Sequence, residues 1–136
     1  MTLHRGSCLC ATVRFEISGP LPAIQICHCG QCRKAQGSAF AAVLPVRTDA
    51  LRFESGRDLI REYESSPGKL RAFCTHCGSP IYSRRPDTPD TMRIRAGLVD
   101  APVEARPAGH FHTASKADWF EITDALPQVA GGRVER

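Results

Sequence analysis

No stretch of this sequence reaches the roughly 18 consecutive apolar residues of a membrane span; its apolar runs are only a few residues long. Met1–Gly6 has no apolar core of the secretory kind. Lysine is scarce, with three among the 18 basic residues. The arginines are scattered instead of bunched, and the formal net charge is only +4. That balance suits a domain handling small anionic ligands and is too weak to argue for nucleic acid. Apolar patterning at helical spacing never lasts beyond about two turns, and there is no internal repeat, no linker and no low-complexity segment. An even cysteine count is missing too. Seven cysteines cannot all pair, and without a secretion signal they point to a reducing, cytoplasmic setting and to metal binding instead of disulfides.

What is present is mostly period-two patterning, which predicts strands. Val13, Phe15 and Ile17 alternate with Thr12, Arg14 and Glu16 before Gly19-Pro20 breaks the run. Ile24 and Ile26 lead to Cys27, and residues 33–37 can form one helical turn. Residues 39–46, 51–54 and 59–64 read as strands, with Ser65-Ser66-Pro67-Gly68 as a hairpin turn into a strand over 69–73. Ile81–Arg84 follows. Met92, Ile94 and Ala96 alternate with Arg93 and Arg95. Short strands are expected at His110–His112 and Trp119–Ile122. The expectation is a single mainly-β domain over residues 1–128, with 129–136 as a frayed tail.

Chemistry concentrates in three cysteine groups: Cys8-Leu9-Cys10, Cys27-His28-Cys29-Gly30-Gln31-Cys32, and Cys74-Thr75-His76-Cys77. Zinc takes four ligands tetrahedrally in closed structural sites, and three plus an open corner in catalytic ones. The simplest division of seven is therefore four and three. Cys8, Cys10, Cys74 and Cys77 would close a structural zinc site. Cys27, Cys29 and Cys32 would form an open one, prone to losing its metal. Spacing also permits Cys29 and Cys32 to join Cys74 and Cys77 as a ribbon. It further permits a histidine among His28, His76, His110 and His112 to close the second site. Arg33 and Lys34 follow the last cysteine directly. They could offset thiolate charge, meet a substrate carboxylate, or simply sit on a solvated helix end. Trp119 reads either as a core residue or as a pocket wall.

Three motifs carry a resemblance. Gly6-Ser7-Cys8-Leu9-Cys10, Cys27-His28-Cys29 with Cys32-Arg33-Lys34, and Phe73-Cys74-Thr75-His76-Cys77-Gly78-Ser79-Pro80 resemble the glutathione-dependent formaldehyde-activating enzyme family, which also includes centromere protein V. His110, Ser115-Lys116, Trp119 and Asp124-Ala125-Leu126-Pro127 are similar to that family's closing pattern. The resemblance covers roughly residues 4–127. It implies a β-tent of packed antiparallel sheets, a structural zinc on Cys8, Cys10, Cys74 and Cys77, and a catalytic zinc on Cys27, Cys29 and Cys32. It also implies a carbon–sulfur lyase-type reaction joining glutathione to formaldehyde; the charge balance and the short apolar runs, for their part, argue for no nucleic acid and no membrane as partner. On that reading Arg33, Lys34 or Lys116 would hold the carboxylates of the thiol, and Trp119 would wall the pocket. A non-catalytic zinc-stabilised binding module, and a thiol or zinc sensor, are the rival classes. One departure stands out: Ala11 occupies the position after Cys10 where the family usually has glycine.

Overall fold

A computed structural model describes residues 2–132. The strands in chain order are β1 (Leu3–Ser7), β2 (Arg14–Ser18), β3 (Ile24–Cys27), β4 (Ala41–Arg47), β5 (Leu51–Ser55), β6 (Ile60–Ser66), β7 (Lys69–Cys74), β8 (Pro80–Arg84), β9 (Thr91–Arg95) and β10 (Pro107–Phe111). One helix, α1 (Gly30–Gln36), sits between β3 and β4. The strands form a three-stranded sheet, β1-β2-β5, and a seven-stranded sheet, β10-β3-β4-β9-β8-β7-β6. All pairings are antiparallel except β10 with β3, which is parallel.

Period two decides how the sheets meet. In β2, Phe15 and Ile17 are fully buried, together with Val13 just before the strand. On the large sheet the register aligns Ala72, Tyr82, Ile94 and Leu44 in one row across β7, β8, β9 and β4. These residues, with Val46 and Met92, pack against the β2 side chains as the main core. Cys8 and Cys74 belong to that same core. Gly6 permits the close approach: a Cβ there would stand 2.4 Å from the Phe15 ring and 2.6 Å from the Leu98 carbonyl. Glu16, on β2 and largely buried, is held by ion pairs from Arg5 and Arg52, and these guanidiniums keep its carboxyl below the usual range, Arg52 most of all.

The opposite face of the large sheet is built from the other parity. Arg71, Ser83 and Arg93 are aligned across β7, β8 and β9, and Arg95, Val43 and Gln25 across β9, β4 and β3. This face carries polar side chains and floors a cavity whose rim includes Cys29 and Cys32 at the start of α1 and Phe111, His112 and Gly132 of the chain from β10 onward.

Two expectations change at the C-terminal end. No strand forms at Trp119–Ile122; Trp119 is 71% exposed and offers no apolar face to a sheet. The first part of the 129–136 stretch expected to fray is held against β10 and the chain just after it, within the described residues. The Val129 amide donates to the His110 carbonyl at 2.8 Å, and the His112 amide to the Gly131 carbonyl at 2.6 Å. Residues 133–136 lie outside the described residues.

Candidate metal centres and the cavity beside them

The first cysteine set is built by two turns at one end of the core. After β1, the Ala11 amide bonds the Cys8 carbonyl at 3.0 Å and the Cys8 amide bonds the Val13 carbonyl at 3.1 Å, folding the chain so that Cys8 and Cys10 face one point. After β7, the Gly78 amide closes onto the Cys74 carbonyl at 2.7 Å. Gly78 takes φ +80°, a conformation only glycine adopts without strain. Ala11 sits in the same left-handed region at φ 65°, so the alanine found here bears a backbone cost that glycine would not. The Leu9 amide donates to the Ser79 hydroxyl at 2.9 Å and ties the two turns together.

The second set is built by α1. Cys29 is the N-cap, its sulfur accepting the Cys32 amide at 3.3 Å, a role more often taken by serine or aspartate. Residues three apart on a helix share a face, so Cys29 and Cys32 point together, and Cys27 joins them from the end of β3. Gly37, left-handed at φ 62°, ends the helix.

The sulfurs of Cys8, Cys10, Cys74 and Cys77 all lie within 4.8 Å of one another, as do those of Cys27, Cys29 and Cys32. Cys8 and Cys10 are 3.5 Å apart, and Cys10 and Cys74 3.9 Å. Four sulfurs bonded to one zinc at about 2.3 Å would stand about 3.8 Å apart in a tetrahedron, so the four-sulfur set fits such an ion. This grouping excludes the ribbon division of the cysteines. Among the described residues no histidine or carboxylate completes the group of three.

The two sets differ in setting. The first merges with the main core. There the Ser79 hydroxyl and nearby backbone dipoles hold the Cys77 thiol down at about 5, and burial lifts Cys74 to about 11. The second forms a small apolar cluster with Ala41 and Val43 and opens on a cavity of about 380 Å³. Cys32 is the thiol there that ionises most readily, its sulfur accepting from Cys27 and Cys29 and facing the Arg71 guanidinium. Both Nη atoms of Arg71 lie 3.7 Å from that sulfur. Cys27 is shifted the other way by its bonds to the neighbouring sulfurs and by burial.

Five cations line this cavity: Lys69 and Arg71 on β7, Arg85 just after β8, and Arg93 and Arg95 on β9. No aspartate or glutamate lines it among the described residues. Burial, reinforced by Arg93 and Arg71, brings Lys69 down to about 8, and burial brings Arg95 to about 10. Ser83 is 1% exposed and its hydroxyl has no hydrogen-bond partner; the buried Gln25 Oε1 also has none. Both line the same cavity.

The cations expected from sequence adjacency stand elsewhere. Arg33 donates from Nε to the Ser115 carbonyl at 3.2 Å. Lys34 is exposed and lines a neighbouring, mostly apolar hollow beside Ala35 and Phe73, which shares Arg71 and Arg95 with the three-cysteine cavity. Lys116 donates from Nζ to the Ala117 and Phe120 carbonyls. Trp119 lines a surface hollow with Lys116 and packs on Phe120. None of the four borders the three-cysteine cavity. The physical reason for α1 is its 100° turn per residue: Arg33 and Lys34 swing away from the face that holds Cys32.

A buried histidine chain, not anticipated, props the Cys27–Cys29 turn from behind. His28 is fully buried, its ring packed among Phe40, His110 and Phe120. Its Nε2 lies 2.8 Å from Nδ1 of His110, and Nε2 of His110 lies 3.0 Å from Asp124 Oδ2. The carboxylate only accepts, so His110 donates to it from Nε2 and accepts from His28. Burial pushes His28 down, with His110 and Lys116 adding to the effect. The His110 bond holds Asp124 below the usual carboxylate range.

Comparison with known proteins agrees with these features. The profile of the family described as "Glutathione-dependent formaldehyde-activating enzyme" matches residues 3–115. A protein from Halomonas elongata is 33% identical over 129 residues, covering 88% of this chain and 81% of its own. One from Pyrenophora teres f. teres is 23% identical over 116 residues, covering 84% of this chain and 55% of its own. Both carry the name "Putative glutathione-dependent formaldehyde-activating enzyme". A Rhodobacter sphaeroides protein of known crystal structure shares the fold, with a TM-score of 0.61 and 21% identity over 75% of this chain and 97% of its own. With the profile spanning most of its length and the cysteines gathered into sets of four and three, the chain belongs to the glutathione-dependent formaldehyde-activating enzyme family.

Proposed function

We propose that this chain is a zinc-dependent carbon–sulfur lyase-type enzyme that joins glutathione, or a thiol like it, to formaldehyde or another small aldehyde. The observation that carries the reading is the contrast between the two cysteine sets. The four-cysteine set packs onto the main core through buried Cys8 and Cys74, with Cys10 and Cys77 half-buried at its edge, whereas all three cysteines of the other set line a cation-rich cavity. Cys8, Cys10, Cys74 and Cys77 would hold a structural zinc, and Cys27, Cys29 and Cys32 a catalytic one. Bound to three thiolates, the ion supplies a Lewis acid that favours the ionised form of a fourth sulfur.

The chain's own groups do the rest. Arg71 offsets the negative charge at Cys32. The helix N-cap at Cys29 and the histidine chain behind His28 fix the spacing of the sulfurs. The cavity cations hold substrate carboxylates and so fix the direction from which the thiol arrives. In the reaction a carbon–sulfur bond forms at the aldehyde carbon, the carbonyl becomes a hydroxyl, and the thiol proton ends on that oxygen. The reverse direction is the lyase. The partners are small molecules, and seven free cysteines suit a reducing cytoplasm. A binding module would need no open centre beside a cavity, which speaks against that rival.

The test is exchange spectroscopy on glutathione and formaldehyde at equilibrium. The two-zinc protein should accelerate interconversion of glutathione with its hydroxymethyl adduct, and Cys29→Ser should not. A fully metallated protein that leaves the exchange rate at its uncatalysed value would overturn the proposal.

A further inference from the structure

Among the described residues, three cations of the cavity beside the three cysteines, Lys69, Arg71 and Arg95, have no carboxylate partner. Arg95 is 5% exposed, and its partners are the Gln36 amide oxygen at 3.0 Å and the Arg93 carbonyl at 3.4 Å. Arg71 bonds the Ser65 hydroxyl at 3.0 Å, the Gln31 amide oxygen at 3.5 Å and the Cys32 sulfur. Among the described residues neither has a carboxylate partner, and neither does Lys69. Arg85 differs, pairing with Asp87 at 3.5 Å. A buried cation without a counter-charge is costly. A dication on three thiolates contributes only one net negative charge, and three cations face it.

The polar side of this face is unsatisfied as well. The Ser83 hydroxyl has no partner although it is 1% exposed and opens on the cavity. It lies between Arg71 and Arg93 in the cross-strand register. Neighbouring strands are about 4.8 Å apart, so the row from Arg71 through Ser83 to Arg93 spans about 10 Å. Its Arg71 end touches the three-cysteine centre. The row therefore leads from the sulfur site across the floor of the cavity.

We infer that Lys69, Arg71, Ser83, Arg93 and Arg95 form a carboxylate-binding subsite that selects thiols bearing a carboxylate, and no ammonium, about one residue's length beyond the residue that carries the sulfur. The subsite rests on the thiol–aldehyde reading and gives it a direction. A peptide-like thiol of the glutathione type enters with its glycine carboxylate on the cations. Its γ-glutamyl end, which carries the ammonium, stays toward the mouth. No acidic side chain lines the cavity to receive an ammonium among the described residues, and a cation placed there would meet like charge. Five donors and no acceptor charge thus discriminate between the two ends of one substrate.

Three ligands separate the outcomes on the two-zinc protein by calorimetric titration: glutathione, its glycine ethyl ester and N-acetylglutathione. Masking the glycine carboxylate should weaken binding about tenfold, the worth of a charge-assisted contact set. Removing the ammonium should leave binding as tight or tighter. In Lys69→Met and Ser83→Ala, both with the native zinc content, glutathione and the ester should bind within about twofold of each other. The ester binding the wild type as well as glutathione does, or N-acetylation weakening binding about tenfold, would overturn the subsite while leaving the thiol–aldehyde reading intact. Failure of glutathione itself to bind a fully metallated protein would overturn both.

Discussion

Replacing Lys69 with methionine should make the protein more stable and a poorer ligand for anions. In the folded chain Lys69 titrates near 8 instead of 10.5, because its ammonium is partly buried and faces Arg93 and Arg71. A folded-state value below the unfolded one means the charged form is disfavoured by folding. The cost is present in full below about pH 8, fades between about 8 and 10.5, and is gone above, where both states are neutral. The difference corresponds to about 3.4 kcal/mol at 1.36 kcal/mol per pH unit. Partial exposure reduces that to roughly 1–2 kcal/mol, since water screens the ammonium. Methionine keeps much of the apolar stem and removes the charge. Urea unfolding of the reduced, two-zinc protein at pH 7, 8.5 and 10 gives the comparison. Lys69→Met should be more stable by roughly 1–2 kcal/mol at pH 7, with the gain shrinking toward zero at pH 10. A loss of stability at pH 7, or a gain unchanged across this range, would refute the claim that the cavity holds an uncompensated cation. The same residue would then stabilise the empty fold less than it serves an anionic ligand, a trade common at binding sites.

Metal content should fall between one and two zinc per chain, and elemental analysis after mild chelation should leave about one; a folded protein with none would contradict both sites. Cys74→Ser should unfold or aggregate the chain, because it breaks a site that joins β1 to β7 and supplies on the order of 10 kcal/mol in small zinc domains. Cys29→Ser should instead leave a folded protein with one zinc, as judged by circular dichroism and melting. Ala11→Gly should be tolerated or stabilising by roughly 0.5 kcal/mol, the relief of the left-handed backbone less glycine's extra chain entropy. Gly78→Ala, at φ +80°, should cost roughly 1–2 kcal/mol in thermal unfolding.

The cysteine sets were legible because ligand chemistry is written in residue identity and short spacing. Cys8 with Cys10, and Cys74 with Cys77, need only a tight turn each to face one point. The alternation in β2 was legible for a similar reason, since Phe15 and Ile17 must share a face. So was the turn at Pro67-Gly68 that joins β6 to β7. The cations of the cavity were not. Arg93 and Arg95 announce that they share a face, but period two does not say what covers it. That depends on α1 and on the chain after β10, which only the three-dimensional fold brings together. Arg33 and Lys34 make the opposite point: adjacency in sequence to Cys32 does not place them on the lining of its cavity once a helix turns 100° per residue. The histidine chain was hidden by distance, His28 and His110 being 82 positions apart in sequence. The unexpected path at Trp119–Ile122 follows from an alternation too short to specify a strand without a partner.

The central claim is that the three-cysteine centre takes a thiol, and a titration with glutathione and S-methylglutathione tests it most directly. Both ligands carry the same carboxylates, and only one can become a thiolate. On protein of known zinc content, glutathione should bind in the range from about 0.1 to 10 mM, as expected for roughly 3–5 kcal/mol of net interaction, and the S-methyl form should bind distinctly worse. Equal binding of the two, or no binding of either at 20-fold above about 1 mM, would contradict a thiol site at Cys27, Cys29 and Cys32.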